Sequence, residues 1–130
     1  MTETRVFFYK DDDGSVPVKD WLAQLQRCDR RAFAQCVAVI RRLAFFGHEL
    51  RRPHADYLRD GIYELRAKKG RVNYRVLYFF HGRNVALLAH ALTKEDVVPD
   101  ADIGRALIRK QRYSRDPERH THEEEIDQEA

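Results

Sequence analysis

The chain has 130 residues, 43% of them hydrophobic and 35% charged, and its 24 basic and 21 acidic side chains leave a formal charge of +3. That length suits one domain around one core, and no run approaches the roughly 20 apolar residues of a membrane span. The opening residues carry no charged-then-apolar signal pattern, and the two cysteines, Cys28 and Cys36, are too few for a disulfide scaffold and lack metal-site spacing, so a reducing cytoplasm is expected.

In chain order, residues 4–10 (TRVFFYK) are aromatic and β-branched and predict a first strand, which Asp11 to Gly14 break. Pro17 starts a short helix over about 17–26, with Trp21, Leu22 and Leu25 on its apolar side. Asp29 caps a second, longer helix that Gly47 ends. Phe33, Cys36, Val37, Ile40, Leu43 and Ala44 recur there at three- and four-residue spacing, so both cysteines read as small buried or interfacial hydrophobes. After a polar connection containing Pro53, residues 62–69, 72–81 and 84–92 predict three strands. Their links, Gly70-Arg71 and Gly82-Arg83, match two-residue type II′ hairpins. Pro99 starts a last helix over about 99–112, with Ile103, Ala106 and Leu107 facing inward. The order β-α-α-β-β-β-α predicts an α+β fold, a small sheet packed on two N-terminal helices and one C-terminal helix.

The charge is unevenly placed. Residues 114–130 carry two basic against seven acidic side chains, a charge of −5, while residues 1–113 hold 22 basic against 14 acidic, a charge of +8. With Ile126 as its one large apolar residue, the tail is expected to be disordered, leaving a basic body at 1–113. A basic body suggests a polyanionic partner, with ordinary solubility charge as the alternative.

The hairpins imply a register. Pairing Lys69 with Val72 sets Arg66 opposite Arg75, and pairing His81 with Asn84 sets Arg75 opposite His90, with Lys68 two residues along. The other face then reads Tyr63, Leu65, Ala67, Tyr74, Val76, Tyr78, Phe80, Val85, Leu87, Ala89 and Ala91, a continuous apolar surface. Two arginines facing each other destabilise a sheet by up to about 1 kcal/mol. A phosphate between their guanidinium forks relieves this; so, more blandly, does solvent over stems that cover leucines. Beside Arg75, His90 is expected to stay neutral and able to act as a base. Lys94 follows the last strand, while Arg105, Arg109, Lys110, Arg112 and Tyr113 along the last helix either extend a phosphate-tracking surface or simply face water. Glu64 is the only carboxylate on the basic face, and no Gly-rich phosphate loop, zinc or EF-hand spacing occurs, so no metal or other cofactor is expected. His120 and His122 beside Glu123–Glu125 are not expected to form a metal site in a disordered tail.

The stretches LRDGIYELRAKKGRVNYRVLYFF and LLAHALTKEDVVPDADIGRALIRKQRY, with the N-terminal strand and helix pair, resemble toxins of the RelE/ParE superfamily, in its HigB-like, phage-derived branch. The resemblance implies the toxin of a type II toxin–antitoxin pair: a metal-independent mRNA endoribonuclease at the ribosomal A site, neutralised by a small helix-turn-helix, HigA-like antitoxin. Arg66, Lys68 and Arg75 match the family's basic strand residues, His90 its frequent histidine, and Lys94 the basic residue after the last strand. Thr93 stands where many relatives carry a second lysine. In this reading Arg66 and Arg75 hold the scissile phosphate, His90 or Lys94 deprotonates the 2′-OH, and Lys68, Arg71, Arg109, Arg112 and Tyr113 hold RNA. Arg75→Ala is then expected to abolish toxicity with little loss of stability. Two other classes stay open: a ParE-like toxin acting on gyrase, and a nonenzymatic nucleic-acid-binding module.

Overall fold

Each predicted element forms, and two unpredicted strands join them. The computed structural model describes residues 4–94 and 97–124. Along the chain lie β1 (Arg5–Tyr9), α1 (Pro17–Cys28), α2 (Arg30–Phe46), a 3-10 turn (Gly47–Glu49), β2 (Ala55–Arg59), β3 (Ile62–Lys69), β4 (Val72–His81), β5 (Val85–Lys94), α3 (Asp100–Arg115) and β6 (Thr121–His122). The sheet order is β2-β3-β4-β5-β1-β6, with β1 parallel to β5 and the other pairs antiparallel. Pro17 opens α1, and the Asp29 carboxylate accepts from Ala32 N at 3.2 Å to cap α2. Gly47 ends α2 at φ +55°, where a Cβ would also collide with the Thr4 side chain.

Helices cover both faces of the sheet. Leu65, Ala67, Val76, Tyr78 and Leu88 pack against Leu22 of α1 and Phe33, Val37 and Ile40 of α2. On the opposite face Ile62, Leu77, Phe79, Leu87 and Ala89 meet Ile103, Ala106 and Tyr113 of α3. The face expected to be basic is therefore partly a second core.

The predicted β3–β4 register holds, with Lys69 paired to Val72 and Arg66 to Arg75. The β4–β5 register does not. The loop has three residues, Gly82 to Asn84, so His81 pairs with Val85. That one-residue difference turns Val85 and Leu87 toward α3, and Ala86 and Leu88 toward α1 and α2. A bulge at Ala89 then shifts the register again, giving Leu77–His90 and Arg75–Leu92 pairs. Arg75 thus faces Leu92, not His90.

The unpredicted β2 makes a hairpin with β3 through Asp60-Gly61, both at positive φ (52° and 83°), as a type I′ turn requires. The C-terminal segment also departs from expectation. Thr121 and His122 pair with Tyr9 and Phe8, and His120 is buried, stacked on Tyr9 at 5.2 Å and donating from Nδ1 to Lys10 O at 2.7 Å. Glu123 binds Arg5 and Glu124 binds Lys19. Residues 114–124 are thus ordered on the body: the edge of β1 offers unpaired backbone, and the body offers cations to the tail's acids. Residues 125–130, Ile126 among them, lie outside the described residues. Cys36 is fully buried, which pushes its thiol up to about 12 and leaves it inert, whereas Cys28 is exposed, contrary to expectation.

Candidate functional site

Three successive rungs run across the α3-side face of β3, β4 and β5: Glu64–Leu77–His90, then Arg66–Arg75–Leu92, then Lys68–Asn73–Lys94. Directly paired residues share a face, so Arg66, Lys68 and Arg75 point to one side, and the backbone of Lys94 lies in the row of Lys68. A cleft of about 490 Å³ opens at this end of the strands, lined by Arg66, Lys68, Asn73 and Arg75 and also by Ala67, Pro53, His54 and the α2 residues Gln35 and Val39, so it reaches the α2 side of the sheet. No α3 residue lines it. Of the expected site residues, the fold brings these three cations together.

The repulsion between the two arginines is relieved from within. Arg75 Nη1 donates to Glu64 Oε1 at 2.5 Å, and Arg66 Nη2 donates to Glu64 Oε2 at 3.4 Å. Asp56 lies 4.0 Å from Arg66 and 2.8 Å from Arg52. Charges therefore alternate as Arg52, Asp56, Arg66, Glu64, Arg75. The anion expected between the arginines is a carboxylate of the protein itself. The Glu64 and Arg75 side chains are only 4% and 8% exposed, whereas Arg66 is 32% exposed and its Nε is buried with no partner among the described residues. This argues against the expectation that Arg75→Ala costs little stability, because it would leave a buried carboxylate without its closest cation. Lys68 and Arg71 are exposed.

His90 sits one rung away and is committed elsewhere. Its Nε2 lies 2.7 Å from Asp102 Oδ1, while Arg109 donates to Nδ1 at 3.2 Å and to Ala89 O at 2.7 Å. An Arg donor at Nδ1 requires that nitrogen to be unprotonated, so Nε2–H donates to Asp102 and the ring is neutral. Burial lowers the pKa of His90 below the ordinary value of 6.5, outweighing the Asp102 carboxylate, which raises it. The close carboxylate–imidazole contact is thus a hydrogen bond of the neutral ring rather than an ion pair. It fastens α3 to the bulged part of β5.

The expected α3 contacts to RNA are also engaged within the protein, Arg112 at the surface and Tyr113 in the core. Arg112 binds Asp11 at 3.0 Å, and Tyr113 is buried with its ring edge-on to Phe79 and His81. With Arg109 at His90, none of the three lines the cleft. Sequence reasoning missed the partners: Asp102 in the first turn of α3, and Asp56 on β2. The Asp60-Gly61 dipeptide was the available signal for β2 and hence for Asp56. Glu64 is legible in the sequence as a carboxylate of this face, whereas its place as counter-ion to both arginines depends on the packing.

The pattern of the family described as phage derived protein Gp49-like matches residues 20–111, which span α1 to α3 and all three rungs. The chain belongs to the Gp49-like family. This is a toxin-like family related to toxins of the RelE/ParE type, so membership implies a phage-derived toxin of a toxin–antitoxin pair and, with it, an antitoxin partner. No curated protein matches the chain. Among the described residues of this Gp49-like protein, no helix is long and apolar enough to cross a membrane.

Proposed function

We propose that this Gp49-like chain is a metal-independent, ribosome-dependent mRNA endoribonuclease that inhibits translation, with HigB-like action and a helix-turn-helix, HigA-like antitoxin. The observation that carries the reading is the Arg66–Arg75 rung beside the Lys68–Asn73–Lys94 rung, at the mouth of an open cleft. RNA supplies its own nucleophile. The 2′-oxygen attacks the adjacent phosphorus and the bond to the 5′-oxygen breaks, leaving a 2′,3′-cyclic phosphate and a 5′-hydroxyl. Such a step needs positioning, a proton acceptor for the 2′-OH, a proton for the departing 5′-oxygen, which solvent water supplies, and cations for the added phosphate charge. Arg66, the more exposed arginine, meets the phosphate, with Arg75 behind it. Lys68 and Arg71 track the backbone, and Lys94 in its uncharged form takes the 2′-OH proton, since both His90 nitrogens are engaged by Asp102 and Arg109. The test is expression in growing cells with mapping of mRNA ends: new ends inside translated frames are expected, lost in Arg66→Gln and Lys68→Ala. Intact message during growth arrest would sink the reading.

One observation favours a second reading, a basic RNA-binding module that does not cleave. Both ring nitrogens of His90 are engaged within the protein, and so are not turned to a substrate. In that case RNA binds with steep salt dependence and is recovered intact.

A further inference from the structure

The geometry points to Glu64 as an internal rival of phosphate: its carboxylate occupies the anion seat between Arg66 and Arg75 and holds down the affinity of this site for phosphate-bearing ligands. Three observations combine. Glu64 is 3% exposed yet keeps one oxygen on each arginine, at 2.5 Å and 3.4 Å. The contact to Arg66 is the longer, and that arginine is the more exposed of the two. Arg66 also keeps a buried Nε–H that no described residue accepts, at the wall of the cleft.

A guanidinium offers five N–H donors in a fixed fork, and the one long hydrogen bond of Arg66 to Glu64, with Asp56 at 4.0 Å, uses few of them. A phosphate oxygen at Arg66 takes up the remaining donors but sits close to the Glu64 carboxylate, so the two anions repel. Arg75, held at the shorter distance, stays with Glu64. Phosphate therefore binds in exchange for part of the Arg66–Glu64 contact, and Glu64 is a positioning residue that sets the strength of anion binding. This inference rests on the reading of this face as the phosphate site, and does not depend on whether RNA is cut there.

The experiment measures binding of inorganic phosphate and of a short single-stranded RNA, with 2′-deoxy sugars to block cleavage, to the full chain at fixed ionic strength. Glu64→Gln keeps the side chain's shape and an acceptor for Arg75 while removing the charge. It is expected to bind both probes about tenfold more tightly, and the gain should vanish in the Glu64→Gln, Arg66→Gln double variant. Equal or weaker binding by folded Glu64→Gln overturns the inference, since a merely structural role would leave affinity unchanged or reduce it. Should Glu64→Gln fail to fold, the wild type decides: phosphate titration should move the Nε–H resonance of Arg66 more than that of Arg75. A titration that moves neither overturns the inference. Tighter binding by Glu64→Gln in a protein that cuts no RNA would leave this inference standing and remove the ribonuclease; cleavage by a wild type whose Glu64→Gln form binds no tighter would do the reverse.

Discussion

At the residue scale, the buried Glu64–Arg75 pair decides how the site is to be probed. Removing one partner of such a pair costs about 3–5 kcal/mol, because the other charge stays behind without compensation. Arg75→Ala is therefore expected to unfold at markedly lower urea than the wild type, and its loss of toxicity would not by itself report on catalysis. Urea melts of Arg75→Ala against the doubly apolar Glu64→Leu, Arg75→Met variant check this, the double variant being the more stable of the two. Lys68 is exposed on the same face, so Lys68→Ala should stay within about 0.5 kcal/mol of the wild type while weakening RNA binding. Equal urea midpoints with weaker RNA retention are the expected pair of results.

At the element scale, α3 and the C-terminal segment are held by polar fasteners set on apolar contacts. His90 joins β5 to α3 as a neutral ring, and its pKa is lowered by burial in the folded protein. Below the ordinary value of 6.5 the unfolded chain takes up a proton that the folded chain resists, so stability present above that value is lost as pH falls through it. Urea midpoints should fall between pH 7 and pH 5.5, and His90→Gln should show a shallower fall; parallel curves would exclude His90 as the source. The segment after α3 completes the edge of β1 and stacks His120 on Tyr9. Ending the chain after Arg115 uncovers that edge and should cost about 1–2 kcal/mol, read as a lower melting temperature and faster amide exchange at Phe8 and Tyr9.

At the scale of the whole molecule, the +3 total hides a basic body clasped by an acidic C-terminal segment. The same truncation removes seven acidic and one basic charge, raising the formal charge from +3 to +9. Nonspecific RNA binding should tighten and its salt dependence steepen, measured as retention on single-stranded RNA across a salt series. The sequence by itself determined the helices, the β3–β4 hairpin and hence the facing arginines, because caps, 3.6-residue periodicity and a two-residue Gly turn are local signals. It also pointed to a phage-derived toxin related to the RelE/ParE type, through the ordered strand motifs. The tertiary structure alone decided the rest. One extra loop residue and a bulge at Ala89 reset which side chains face α3, since a slip of one residue inverts a strand. The commitment of His90 to Asp102 and of Glu64 to both arginines depends on which groups burial brings within reach. The C-terminal segment orders because the free edge of β1 and the cations beside it supply what its own composition lacks.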